Sequence, residues 1–178
     1  MRATVRALWR QVEIAELRRE KDDNFRHAHD SPLSVEQRAS FKGLHYLPED
    51  AAYRFNVTVD PNGGGTVEEV EMSDGSASHL RRVGTVRFAV AGERVGLIAY
   101  EQGEALFIPF RDATSGKETY GAGRYVEAEP LGDGRFELDF NRAYNPYCAY
   151  NDAWRCPLPP TANWLAVPIR AGELSFHV

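Results

Sequence analysis

Residues 53–60 read YRFNVTVD, with Tyr53, Phe55, Val57 and Val59 alternating against Arg54, Asn56, Thr58 and Asp60. A period of two places one face of an extended strand in a core and the other in water. This half-buried strand decides the fold class, because the sequence beyond it repeats the same pattern. Pro61 to Gly65 (PNGGG) turns the chain. Further strands are then predicted at Thr66 to Met72, Ser78 to Val83, Thr85 to Val90, Arg94 to Tyr100, Ala105 to Arg111, Thr119 to Glu127 and Arg135 to Phe140. Turn-formers separate them at Asp74-Gly75, Gly92, Gly103, Ser115-Gly116 and Gly132-Asp133-Gly134. Short strands at regular spacing, joined by tight turns, predict a mainly β, antiparallel domain that is barrel-like or sandwich-like. A last strand is expected at Trp164 to Ile169.

Upstream the period changes to that of a helix. From Thr4 to Phe25 the residues Val5, Leu8, Trp9, Val12 and Ala15 form one stripe, with Ile14 and Leu17 off it. A helix with two apolar directions packs on two surfaces, the second being a loop or another subunit, so a homodimer through the N-terminal helix is an expectation. Ser34 with Gln37 has capping-box spacing and opens a second short helix that carries Phe41 and ends at Gly43. N-terminal α-helices thus accompany the sheet. The whole chain, 1–178, is expected to be a single domain: a helical segment over 1–45 and an antiparallel β domain over 53–178 with a long irregular loop at 141–163.

The chain has 178 residues, 43% hydrophobic and 26% charged, a composition that folds without disulfides or metals. Its formal net charge of −5 offers no electrostatic footprint for nucleic acid or for an anionic membrane. No apolar run approaches a membrane span, and the opening residues lack the apolar core of a secretory signal, so a cytoplasmic protein is expected. There are two cysteines, Cys148 and Cys156. Their spacing is too wide for a CxxC redox motif, and free thiols are the default in a reducing compartment. A disulfide between them is geometrically open. Joined with His27 and His29 they would make only a weak metal set, so neither a metal nor another cofactor is expected.

After Phe140 the alternation stops, and residues 139–163 read DFNRAYNPYCAYNDAWRCPLPPTAN. A long irregular segment in a compact domain is functional or a packed lid. Pairing the preceding hairpin, residues 106–127, about a Ser115-Gly116 turn puts Phe110 opposite Gly121 and Ile108 opposite Gly123. On its other face Arg111 meets Tyr120 and Arg124 meets Phe107. Arg111 and Arg124 then project together as a clamp for a carboxylate or phosphate. The competing reading pairs Arg111 with Asp139 and stacks Arg124 on an aromatic ring. Asp112, Asp139, Asn141 and Asn145 supply polar contacts. Asn141, Asn145, Asn151 and Asn163 also suit the simpler task of satisfying irregular backbone. Tyr144, Tyr150 and Trp154 make walls for a small ligand, or seal the core. Cys148 is a nucleophile if a base lies near it, and otherwise an inert buried thiol.

Three stretches, FRDATSGKETYGAGRY (Phe110 to Tyr125), LDFNRAYNPYCAYNDAWRCPLPP (Leu138 to Pro160) and NWLAVPIRAGE (Asn163 to Glu173), resemble the DUF1684 family of bacterial and archaeal proteins. The FKGLHYLPEDAAYRF segment (Phe41 to Phe55) and the N-terminal helix match more loosely. The resemblance implies that hairpin and loop belong to one shared unit, and it brings no established catalytic residues.

The leading expectation is therefore a module that binds a small anionic or polar ligand between hairpin 106–127 and loop 139–163. An enzyme, a hydrolase or transferase using Cys148 or a carboxylate near Arg111, is the second. The third is a structural or interaction protein in which the loop only plugs the core.

Overall fold

The computed structural model describes residues 14–176 and divides the chain into two compact units, Met1–Leu44 and His45–Val178. Helix α1 spans Ile14–His27 and α2 spans Val35–Ser40. Val5, Leu8, Trp9 and Val12 of the sequence stripe lie outside the described residues. Ser34 accepts from the Gln37 N–H while the Gln37 side chain accepts from the Ser34 N–H, so the capping box forms as its spacing predicts. Inside this unit Phe25 is buried, and its ring lies 6.1 Å from Phe41. The Asp22 carboxylate accepts from the Leu44 N–H at 2.9 Å, fixing the segment that leaves α2.

The second unit is a closed antiparallel barrel. Its strands are β1 (Arg54–Asp60), β2 (Val67–Glu71), β3 (Ala77–Val90), β4 (Glu93–Gln102), β5 (Ala105–Phe110), β6 (Arg124–Gly132) and β7 (Arg135–Asp139). They neighbour one another in the order β1-β7-β6-β5-β4-β3-β2, and a further β1–β3 pairing joins Val59 to Val86 and Asp60 to Thr85. That pairing closes six strands into the barrel and leaves β2 as an extra strand on the early half of β3. The mainly β fold expected from the alternation is thus the barrel and not the sandwich. Closure removes exposed strand edges.

The two strands expected at Ser78 to Val83 and Thr85 to Val90 are one, β3, with a bulge between Arg82 and Gly84. Gly84 marks the bend because β1 crosses there: a Cβ on it would sit 2.2 Å from the Asp60 carbonyl oxygen. The expected strand at Trp164 to Ile169 is irregular chain, paired with its neighbours only by an isolated bridge from Trp164 to Arg111.

The barrel interior is filled by Val57, Val86, Phe88, Leu97, Ile108, Phe110, Val126, Leu138 and Phe140. Val167, Ile169 and Ala171 of the C-terminal chain join the same cluster. A second cluster uses the opposite face of the wall, where Tyr100, Phe107 and Tyr125 pack with Val70 of β2, Cys148 and Cys156. Parity demands this, since Phe107 lies between the inward Leu106 and Ile108, and Tyr125 precedes the inward Val126. Strands β5 and β6 are therefore buried on both faces, which is why ALFIPF reads as a continuous apolar run. Among the described residues no helix is long and apolar enough to cross a membrane.

Candidate functional site

The hairpin expected at 106–127 has a different register. Its ladder pairs Phe110 with Arg124, Ile108 with Val126 and Phe107 with Glu127, three residues away from the pairing that a Ser115-Gly116 turn would set. An odd slip reverses which face each side chain takes. The cause lies in residues 112–123, which close on themselves. Asp112 Oδ2 accepts from the Thr114 N–H (3.2 Å) and hydroxyl (2.8 Å). The Thr114 carbonyl in turn accepts the N–H groups of Lys117, Glu118 and Thr119. Strand pairing resumes only at Arg124. Gly123, at φ +104, makes the re-entry, and a Cβ there would lie 2.6 Å from the Phe110 carbonyl oxygen. The expected Phe110–Gly121 and Ile108–Gly123 pairs do not form.

Arg124 consequently points into the closed end of the barrel and is fully buried. It donates to the carbonyls of Ala171 (2.5 Å), Ile169 (2.9 Å) and Glu173 (3.3 Å), and to Asp112 Oδ1 (3.3 Å). Burial pulls its pKa below the ordinary arginine value, and the Asp112 charge acts in the opposite sense. Asp112 also accepts the Ile169 N–H at 2.7 Å. This pair holds the C-terminal chain across the barrel end. The structure does not bring Arg124 and Arg111 together as a clamp.

Asp139 and Asn141 belong to a second node. Asp139 Oδ2 accepts from Arg54 Nε at 2.9 Å, and Oδ1 accepts from the Asn141 backbone and side-chain nitrogens. Asn141 spans the backbone of Asp50, accepting its N–H and donating to its carbonyl, each at 2.9 Å. The arginine facing Asp139 is thus Arg54 and not Arg111. Asn145 and Tyr150 converge on Glu173, a buried carboxylate: Asn145 Nδ2 donates to Oε1 at 3.0 Å, and the Tyr150 hydroxyl makes a short hydrogen bond to the same oxygen. Burial, then the Glu173 charge, pushes the Tyr150 phenol well up, so it stays a donor. The Tyr144 hydroxyl donates to Glu127 at 2.7 Å.

Asn163 acts as a length of strand. Its amide accepts the Ile98 N–H (2.7 Å) and donates to the carbonyls of Ile98 (2.9 Å) and Pro109 (2.7 Å), bridging β4 and β5 beyond the end of their ladder at Tyr100–Phe107. Asn151 accepts the Ala153 N–H at 3.0 Å. The asparagines therefore do what irregular backbone asks of them.

Two chemically distinctive places remain. At the first, Arg111 directly follows β5 and places its guanidinium 4.4 Å from the ring centre of Trp164, which is 51% exposed. Neighbouring chain fixes the arrangement, since the Arg111 N–H donates to the Asn163 carbonyl (3.0 Å) and Trp164 Nε1 to the Pro159 carbonyl (3.1 Å). At the second, Cys148, Cys156, Tyr120 and Ser73 meet on the outer wall, the cysteines as free thiols. Tyr147 and Trp154, 40% and 38% exposed, meet edge to face at 5.1 Å on the same loop. Among the described residues no group of three or more His, Cys, Asp or Glu side chains is arranged to hold a metal.

Trp164 and Glu173 escape sequence reasoning because nothing in their local patterns marks them; their partners lie on distant strands and turns. Both fall within the NWLAVPIRAGE stretch.

A family model described as "Protein of unknown function (DUF1684)" matches residues 39–174, which include every one of these groups. Among solved structures, the solution NMR structure of an uncharacterized protein of Haloarcula marismortui is similar to this chain at 38% identity and a TM-score of 0.72, covering 98% of this chain and 97% of its own. No curated protein matches.

Proposed function

We propose that this chain, which belongs to the DUF1684 family, binds a small anionic ligand, with Arg111 as its anion contact and Trp164 as its platform. One observation carries the reading: among the described residues the Arg111 guanidinium has an aromatic face beside it and no carboxylate in ion-pair range. Several other arginines of the unit are matched, Arg54 by Asp139, Arg82 by Glu68, Arg87 by Asp60, Arg124 by Asp112 and Arg170 by Glu118. A guanidinium held over an indole can still offer N–H groups for two parallel hydrogen bonds to a carboxylate or phosphate. Stacking also removes much of the rotamer freedom that binding would otherwise cost.

The place retains the sequence expectation in part. Arg111 belongs to the hairpin segment, and Trp164 follows directly on the 139–163 stretch, but the second guanidinium of the expected clamp is a structural pin. Calorimetric titration with inorganic phosphate and with small mono- and dicarboxylates tests the reading. Arg111→Ala is expected to weaken binding about tenfold or more, the scale of a lost charge-assisted hydrogen bond. Arg111→Lys keeps the charge but not the fork and should fall between. Equal heats for the wild type and Arg111→Ala would remove the proposal.

A further inference from the structure

Cys148 and Cys156 are eight residues apart in sequence, and the fold brings them into contact. Cys156 is fixed to the chain after β2: its N–H donates to Ser73 Oγ at 3.0 Å, and its carbonyl accepts the Ser73 N–H at 2.9 Å. Leu158 extends the same attachment through its N–H to the Glu71 carbonyl at 2.8 Å. Cys148 sits on the short turn Tyr147–Ala149, and its own N–H donates to Cys156 Sγ at 3.4 Å. The two sulfurs are close enough that each shifts the other's ionisation. The Tyr120 hydroxyl donates to Cys148 Sγ at 3.9 Å, and the Cys156 thiol and the Ser73 hydroxyl lie near enough to lower its pKa. Polar hydrogens gathered at one sulfur stabilise its thiolate.

We propose that Cys148 and Cys156 are a peroxide-reactive dithiol, Cys148 the attacking sulfur and Cys156 the resolving one. The Cys148 thiolate attacks one oxygen of hydrogen peroxide, and the O–O bond breaks. With one proton taken up, water leaves and Cys148 becomes a sulfenic acid. The Cys156 thiol then attacks that sulfur, its proton going to the departing hydroxide, so that a second water leaves and a disulfide joins the two residues. Peroxide gains two electrons and the dithiol loses two. Reduction by a small thiol reverses the change through a mixed disulfide, one thiol pair being oxidised for each protein disulfide opened.

The division of labour follows from the hydrogen bonds. The Cys156 thiol, then Ser73 and Tyr120, lower the Cys148 pKa to about 6 against the opposing effect of burial, while donation to Cys148 and burial push Cys156 up. The phenols facing the pair are Tyr120 and Tyr125. Burial pushes Tyr120 up to about 12, with Asp152 adding in the same sense, and Tyr125 up as well, so both stay neutral across the range in which Cys148 ionises. The wild type supplies the primary test. After one equivalent of hydrogen peroxide, the protein is denatured, alkylated and weighed. The expected product has lost two hydrogens, has no alkylatable thiol and recovers both on treatment with dithiothreitol. The rate should level off near neutral pH instead of climbing through the ordinary thiol range. Cys156→Ser is expected to stop at a Cys148 sulfenic acid that dimedone traps, and Cys148→Ser to leave Cys156 unmodified. Tyr120→Phe, which keeps the ring, should slow the reaction severalfold and move the plateau to higher pH. Two free thiols in the treated wild type, or oxygen added to Cys148 beside a free Cys156, would overturn the proposal.

Discussion

Arg124 is a full positive charge in the wall of a barrel, and its partners explain how it is tolerated. Three backbone carbonyls and the Asp112 carboxylate surround the guanidinium, so charge and most donors are met without water. Removing one partner of such a buried set is costlier than never having built it, because the remaining groups stay desolvated and unpaired. Arg124→Met is expected to lower stability by about 3–5 kcal/mol in urea denaturation. Coupling Arg124→Met with Asp112→Asn should recover part of that loss, as the orphaned carboxylate is then gone. A mutation at Arg111, stacked near the surface, should leave the midpoint nearly unchanged. Two arginines thirteen residues apart thus hold opposite positions, and their own letters do not distinguish them. What separates them is the loop between, whose Asp112–Thr114 turn sets where β6 begins.

At the scale of elements the barrel depends on one short seam. Strand β1 pairs with β7 over five residues and with β3 over only two, Val59–Val86 and Asp60–Thr85. Side chains reinforce the short side: Arg87 of β3 meets the Asp60 carboxylate at 2.5 Å. That contact, with the Asn62 N–H as a further donor, lowers the Asp60 pKa below its ordinary value. A lowered carboxylate contributes stability above its unfolded pKa and loses it as pH falls through the folded one. The melting temperature of the wild type should therefore exceed that of Arg87→Gln from neutral pH down to about pH 4, and the gap should close in stronger acid. A gap that did not change with pH would assign the effect to packing of the arginine stem. The element boundaries near this seam were readable where alternation was clean, as in YRFNVTVD. The β5–β6 register was not, because turn residues at Ser115-Gly116 imply a tight hairpin only if nothing competes, and the Asp112 side chain competes.

For the whole β unit, the walls β5 and β6 serve two clusters at once. Ile108 and Val126 fill the barrel while Phe107 and Tyr125 pack under the cysteine loop. Ile108→Ala is expected to cost about 2–5 kcal/mol, and Val67→Ala, at an exposed site on β2, close to nothing, by the same denaturation assay. The long loop lies over the outside of the barrel, while the chain after it closes the end, so the expectation that the loop plugs the core divides between two neighbouring segments.

The period-two alternation, the turn residues and the capping box are properties of neighbouring residues, so the sequence alone determined the β class, most strand positions and the α2 cap. The candidate site was legible as a location: residues 139–163 do hold the cysteine pair and end beside Trp164. Which polar group would be consumed and which left available was settled only by tertiary structure. Hydrogen-bond partners are assigned by spatial neighbours: Arg54 reached Asp139, Glu173 reached Tyr150 and Asn145, and the backbone of residues 169–173 reached Arg124. With those contacts made, Arg111 on Trp164 and Cys148 against Cys156 remain as the groups on which the two proposals rest. Their isolation results from the way the chain closes on itself.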